Sequence, residues 1–492
     1  MVLENLLVIP ILIPAVFSLF TLVIKTVFKN RNFRQVYVFL VLLATLICNL
    51  YVLKNGGSLV LFNLTSDLAI KLKVDEMTIL FNTLVSVMWF FVGLFSFEYM
   101  KHEENNESFY LFYLLTEAAL LGLGMAANFI TFYVFYEFMT FLSIPLVLHS
   151  RTKEAIAGGL KYLFYSIFGA SLALIGFFFM NYYGDIEFIK GGTLIAGRVA
   201  NNENILRLVF FATIVGFGVK AGLFPLHGWL TTAHPVAPAP ASAVLSGVIT
   251  KAGVLGIVRV IFYQVGVDFI KGTWVQYAFM TLTLITIFMG SMMAFKENLL
   301  KKRLAYSSVS QVSYVLFGIS TLTQIGFVGA LLQVVFHSIT KNLLFMCAGS
   351  IIYKTHKTKV DELKAIGKYM PIVMWCFTIG GLALVGVPPL TGFVSKWYLA
   401  MGSLATNINI YSWLGPVILL ISALLTAGYL ITISINAFFP GADFDYSKVK
   451  KLDPNLYMTI PIITLAVLCI VCGTYAKPFI DFFTNFAITL FR

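Results

Sequence analysis

Apolar residues in this chain come in long runs, and polar residues gather in short clusters between them. A helix needs roughly 20 apolar residues to cross a bilayer. Fourteen runs meet or approach that length: 6–28, 36–54, 77–99, 109–128, 129–149, 155–183, 205–226, 239–264, 274–295, 303–322, 325–353, 371–403, 411–439 and 454–475. Between 55 and 76 the pattern switches to alternation around Gly56-Gly57, which predicts a β-hairpin outside the bilayer. The tail FIDFFTNFAITLFR is amphipathic and predicts an interfacial helix. The first run is too long for a signal-peptide core and lacks a cleavage site, so it reads as a retained helix. The expected fold class is an all-α polytopic membrane protein of about fourteen spans.

Composition agrees. Of 492 residues, 59% are hydrophobic and 11% charged, and mean hydropathy is +0.89. A soluble protein carries about twice that charge. The net charge of +12 does not point to nucleic acid, because the basic residues sit in short loops. There they act as orientation signals and lipid-headgroup contacts. One set of alternate loops is the richer, with Lys29, Arg31, Arg34, Lys101, Arg151, Lys153, Lys301, Lys302, Arg303, Lys354 and Lys448 among its members. That bias predicts a multi-pass protein of the cytoplasmic membrane with both termini on the extracytoplasmic side. The five cysteines all lie in apolar runs, and Cys469-x-x-Cys472 reads as packing rather than a metal or redox site.

Two runs are interrupted. The seventh breaks at Pro225 and continues as HGWLTTAHP, and the twelfth breaks at Pro388-Pro389. The breaks lie five spans apart, which predicts two five-helix repeats, spans 4–8 and 9–13, the second inverted because five is odd. The expected units are 1–108, 109–264, 265–440 and 441–492.

The same runs carry charges. A lysine at mid-bilayer costs at least ~2.5–3.5 kcal/mol, yet Lys220, Lys251, Lys341 and Lys396 all fall inside or beside spans. Only two carboxylates, Glu117 and Glu137, lie comparably deep, so static pairing cannot satisfy all four lysines. Burial disfavours the charged form of an amine. A deep amine that can be charged or neutral is a proton carrier. In this scheme Glu137 switches the charge state of a lysine, with Lys220 its plausible partner. His337 precedes Lys341 by four residues and shares its helix face. His227 and His234 flank the seventh break as candidate inlet groups, with structural hydrogen bonding an equal alternative. Glu117 is an accessory candidate, open between relay and hydration at a span end. Arg259, near the end of the eighth span, reads as a loop anchor or a snorkelling cation. Broken backbone at membrane depth is tolerated beside a wet cavity or inside protein, so Lys220 and Lys396, each near a break, mark hydrated sites.

These residues carry a resemblance. KAGLFPLHGWLTTAHPVAPAPASAVLSGVITKAG, YEF at 136–138, FHSITKNLLF and GVPPLTGFVSKWYL resemble the proton-translocating antiporter-like family. That family includes the large membrane subunits of respiratory complex I, the Mrp cation/proton antiporter D subunit, and homologous subunits of membrane-bound hydrogenases. The resemblance implies fourteen helices with inverted repeats. It implies a Glu137–Lys220 switching pair, Lys251 as central carrier, His337 and Lys341 as connectors, and Lys396 as terminal carrier. The lysine at 396 is similar to that of the Mrp D subunit, and no long lateral helix is expected after span 14. The implied partners are other membrane subunits of one complex, H+ with Na+ as a second candidate ion, and the lipid bilayer. No cofactor and no metal site are expected, since neither a cysteine ladder nor a G-x-G-x-x-G after a strand is present. A stand-alone carrier of organic solutes and a quinone-binding redox subunit are the competing classes. The first would not need a row of lysines across four spans, and the second would want a cofactor or a partner holding one.

Overall fold

Side-chain caps set where several helices begin. Asp75 accepts from Thr78 N at 2.9 Å, Asn128 from Thr131 N at 3.0 Å, and Thr323 from Gly326 N at 3.1 Å, each satisfying an amide the first turn leaves free. In the computed structural model, the described residues are 6–27, 31–66, 68–441, 444–445 and 449–491, with only the backbone of 22–27 and 31. Lys29 and Lys448 lie outside the described residues, as does the side chain of Arg31.

The chain is almost wholly helical. The helices are α1 (Ile9–Val27), α2 (Arg31–Asn55), α3 (Glu76–Tyr99), α4 (Asn106–Gly124), α5 (Phe129–Val147) and α6 (Lys153–Tyr183). They continue as α7 (Glu203–Ala221), α8 (Gly228–Val236), α9 (Ala239–Val265), α10 (Trp274–Lys296), α11 (Leu300–Ser320) and α12 (Gln324–Thr355). The last are α13 (Pro371–Val385), α14 (Thr391–Leu404), α15 (Asn409–Phe438), α16 (Leu456–Thr474) and α17 (Lys477–Leu490). Among the described residues, ten helices are long and apolar enough to cross a membrane. The other expected spans are helices too. α4 and α11 are more polar, and the twelfth run is divided into α13 and α14. The protein is a multi-pass helical membrane protein.

The predicted hairpin is present as β1 (Ser58–Asn63) paired antiparallel with β2 (Ala69–Lys73). It is sewn to the turn between α4 and α5 by the bridge Leu72–Ala126 and to the loop after α6 by Lys71–Glu187 at 2.6 Å. The amphipathic tail forms α17, which turns Phe483, Phe486 and Leu490 onto the bundle.

Of the ten membrane-spanning candidates, α9 and α12 are the most deeply buried, and they carry Lys251, His337 and Lys341; α11 beside them is buried along almost its whole length. α2, α6 and α15 are peripheral, with exposed residues such as Leu40, Phe164 and Leu424. Exposed apolar rows on peripheral helices are what a hydrocarbon solvent calls for.

Both breaks begin alike. Gly222 after α7 and Gly386 after α13 adopt left-handed φ of 80° and 93°, which ends each helix. The Phe224–Pro225 and Pro388–Pro389 bonds are both cis. At the first break, the Trp229 indole donates to Val219 O at 2.8 Å, and Phe224 N to Thr286 Oγ1 at 3.0 Å.

The loop reading of Lys301 and Arg303 is corrected. Both are buried in the first turn of α11. Arg303 donates to Glu297 O and Tyr429 O at 2.7 and 2.9 Å. Lys301 Nζ donates to Pro235 O and Ala237 O at the end of α8. Backbone carbonyls left free at helix ends attract cations, so these two charges fold inward.

Arg259 anchors as expected. Its guanidinium pairs with Asp75 through both terminal nitrogens and lies over the Phe188 and Tyr263 rings at 5.0 and 4.6 Å. Burial pushes the Asp75 carboxyl up, but the Arg259 guanidinium and the Thr78 donors outweigh it and hold it below the usual carboxylate range. A depressed folded value contributes stability above the unfolded one and loses it as pH falls through the folded value. Arg259→Met is therefore expected to cost about 3–5 kcal/mol, seen as a lowered Tm of the detergent-solubilised complex. The Tm gap to the parent should be widest at neutral pH and narrow as pH falls through the variant's Asp75 value, which burial raises once the guanidinium is gone. An unchanged Tm, or a gap that widens as pH falls, contradicts this.

A row of buried lysines

Small residues bring the functional helices together. A Cβ on Gly169 of α6 would lie 2.5 Å from Gly216 O of α7. Only glycines allow that approach, and it sets Tyr162 and Ser166 beside Lys220. Likewise a Cβ on Gly247 of α9 would overlap the Asn342 side chain of α12. The resulting contact sets Lys251 beside His337.

Lys220 and Lys251 are each 1% exposed and Lys341 is 0% exposed. Among the described residues, no carboxylate lies within ion-pair distance of these three lysines or of Lys396. Oxygen atoms of another kind hold them. Lys220 Nζ donates to Thr140 Oγ1 at 3.0 Å, Tyr162 Oη at 3.1 Å and Ser166 Oγ at 2.8 Å. It also lies 4.4 Å from the Tyr162 ring centre, with Tyr136 and Trp229 behind. Hydrogen bonds to a charged group are worth about 1.5–3 kcal/mol each. Three of them outweigh the insertion cost of ~2.5–3.5 kcal/mol.

Lys251 depends on an irregular turn. Leu245–Ile249 is π-helical, a geometry that frees carbonyls from the regular ladder. Lys251 Nζ donates to Ser246 O at 2.7 Å and meets His337 Nδ1 at 2.9 Å. One turn further along α12, Lys341 Nζ donates to Leu304 O at 3.0 Å and contacts Ser307 Oγ. Lys396 Nζ donates to Leu384 O and Val385 O, both at 2.7 Å. Those carbonyls end α13, where the break has left them without helical partners.

The structure thus brings Lys251, His337 and Lys341 into one cluster. Lys220 stands on the adjoining face of α7, where a Cβ on Gly253 of α9 would touch its Cβ at 3.1 Å. Glu137 is not paired with Lys220. It is half-buried on α5 next to the exposed Phe138, and the hydroxyl cage occupies the lysine. Glu117 is buried rather than hydrated, and its Oε2 has no partner. His234 is fully buried and stacks on Phe345 at 4.9 Å, with neither ring nitrogen bonded. His227 is half-buried near Tyr306, its Nδ1 unpartnered.

Sequence reasoning does not find the hydroxyl cage, Glu103 or the inward turn of Lys301. A cavity of about 270 Å³ opens at the lysine-rich loops, lined by Glu103, Ser150, Ala237, Lys301 and Thr358. It ends against the last turn of α8, which carries His234. No charge pattern marks Thr140, Tyr162 or Ser166 in the sequence. The KYLFYS stretch at 161–166 places Tyr162 and Ser166 one turn apart, which is the one available signal.

Residues 126–426 match the family described as NADH:quinone oxidoreductase/Mrp antiporter, TM, and residues 62–110 match NADH-Ubiquinone oxidoreductase (complex I), chain 5 N-terminus. The first match spans more than half of the chain, and every lysine of the row lies within it. The chain belongs to this antiporter family.

Relatives in the family include the N subunit of the NADH-quinone oxidoreductase of Desulforudis audaxviator, 30% identical over 77% of each chain. The D subunit of the Na(+)/H(+) antiporter of Alkalihalophilus pseudofirmus is 27% identical over 97% of this chain and 96% of that one. Hydrogenase-4 component B of Escherichia coli is 29% identical over 82% of this chain and 62% of its own length. Two solved structures share the fold. A chain of the archaeal membrane-bound sulfane sulfur reductase superposes with TM-score 0.85 at 22% identity, covering 99% of this chain and 98% of that one. A chain of the Mrp complex of Dietzia sp. DQ12-45-1b gives 0.84 at 20%, covering 100% and 98%. In this antiporter-family chain the lysine cage should be tunable. Tyr162→Phe keeps the ring faces but removes one hydroxyl, and is expected to slow ion flux in vesicles about tenfold, as about 1.4 kcal/mol implies. Flux equal to the parent would mean that the cage does not control Lys220.

Proposed function

We propose that this chain is the proton-translocating subunit of a multisubunit membrane complex, and that protons move along Lys220, Lys251, His337, Lys341 and Lys396. The observation that carries this reading is the 2.9 Å contact between Lys251 Nζ and His337 Nδ1, made in a row of lysines, three buried and Lys396 half-buried, without carboxylate partners among the described residues. An ammonium N–H aimed at an imidazole nitrogen can pass its proton across that contact. Glu137 acts as the switch: when it reaches Lys220, the lysine holds its charge, and when the hydroxyl cage takes over, the proton is free to move on.

In this reading the chain crosses the cytoplasmic membrane fourteen times, with both ends and the hairpin outside. Residues 109–264 and 265–440 are the two translocating repeats. Protons come in from the cytoplasm through the cavity at Glu103 and Lys301, and His234 hands them to the row. Proton movement is coupled either to Na+ exchange, in an Mrp-type antiporter, or to electron transfer held by other subunits of a hydrogenase or complex I-type assembly. The chain itself holds no redox cofactor and no metal.

The test uses the assembled complex in proteoliposomes with a pH-sensitive dye inside. Lys251→Ala should assemble normally and reduce coupled proton flux to background. Glu137→Gln should lower it at least tenfold and alter its pH dependence. Full flux in the first variant, or the parent's pH profile in the second, rejects the relay. Co-purification then identifies the host, since an Mrp-type complex brings only membrane proteins and the others bring redox subunits.

A further inference from the structure

The polar connection between Lys341 and Lys396 differs in kind from the rest of the row. Lys341 rests on Ser307 of α11. One turn along the same helix stands Gln311, whose Oε1 accepts from Gln333 Nε2 at 2.9 Å. Gln333 Oε1 in turn accepts from Ser395 Oγ at 2.6 Å. Ser395 immediately precedes Lys396, whose ammonium lies 5.2 Å from the centre of the Tyr314 ring, three residues beyond Gln311. Close packing fixes this ladder. A Cβ on Gly329, one turn before Gln333, would lie 2.8 Å from Leu399 N, one turn after Ser395.

Ser307, Gln311, Gln333 and Ser395 are all buried. None of the four holds an added proton near neutrality: carboxamides and hydroxyls are neutral groups. This ladder is the amide line between Lys341 and Lys396; a second line, of hydroxyls, runs from Ser307 through Tyr429, Thr426 and Ser422 to Tyr314, and it too is made of neutral groups. At the same place a donor is left over. Gln311 Nε2 is buried with nothing to donate to. An unsatisfied buried donor costs about 1–3 kcal/mol, which a bound water recovers where there are several polar partners.

We propose that the Gln311–Gln333 pair is a neutral gate within the relay. Dry, it separates the inner carriers from Lys396. When water occupies the position beside Gln311 Nε2, an N–H bond of the Lys341 ammonium breaks, the proton passes through the water, and an N–H bond forms on the Lys396 amine. Nothing is oxidised or reduced. The pair positions the water and carries no proton itself. This inference rests on the relay reading above.

The test compares variants in the assembled complex in proteoliposomes. Gln333→Leu removes the ladder and should lower coupled flux at least tenfold. Gln333→Glu keeps the shape but adds a titratable group, and should raise passive proton leak several-fold in the absence of any driving gradient. A pair that merely fastens α11, α12 and α14 would give no such leak. If Gln333→Leu does not assemble, Gln311→Met takes its place, with the same tenfold loss expected. Flux within twofold of the parent in the apolar variant, or a Gln333→Glu complex as proton-tight as the parent, overturns the gate. Lys251→Ala is run alongside. Its loss of flux with an intact apolar glutamine variant rejects the gate alone, whereas its full activity rejects the relay.

Discussion

An ammonium group removed from water must be given oxygen atoms, and this bundle gives its lysines oxygens that carry no charge. Lys220 has three hydroxyls, Lys251 and Lys341 have carbonyls and one partner side chain each, and Lys396 has two carbonyls. A carboxylate beside each ammonium would stabilise its charge and keep the proton on the lysine. Neutral oxygens stabilise the charged form only by hydrogen bonding, so the two protonation states stay closer in free energy. The rest of the architecture serves that condition.

Most of those carbonyls come from irregular backbone. α-Helical carbonyls are already engaged with amides four residues on, so they have little to offer a side chain. The break after α13 releases Leu384 O and Val385 O to Lys396, and the π-helical turn in α9 leaves Ser246 O to Lys251. Glycines at 169, 216, 247 and 253 then bring the helices close enough for side chains to meet. The proline breaks, the π turn and the small-residue contacts are three routes to the same end.

Much of this is legible in the sequence. A lysine inside an apolar run is conspicuous because its cost is high, and so is a proline in a span. Lys220, Lys251, Lys341 and Lys396 stand out on those grounds, and His337 shares a face with Lys341 by its spacing, whereas the contact of Lys251 with His337 across two helices appears only in the fold. The Glu137–Lys220 pair does not form in this structure, because three hydroxyls occupy the amine and no pattern of charges announces serine, threonine or tyrosine. Lys301 and Arg303 read as loop charges because they border an apolar run, and only the fold shows the carbonyls of Pro235, Ala237 and Tyr429 waiting for them. Among the described residues ten helices, rather than fourteen, qualify as membrane-spanning by length and apolarity: α4 and α11 carry the polar residues that face the interior, the described part of the first run is short, and the twelfth is divided at its break.

The central claim is that the lysines form a wetted, connected row. It is tested most directly by a cryo-EM map of the intact complex at a resolution that shows ordered water. Water density should link Lys220 to the Lys251–His337–Lys341 cluster, and that cluster to Lys396 past Gln311. Apolar side chains sealing each ammonium from the next, with no water between them, would contradict it.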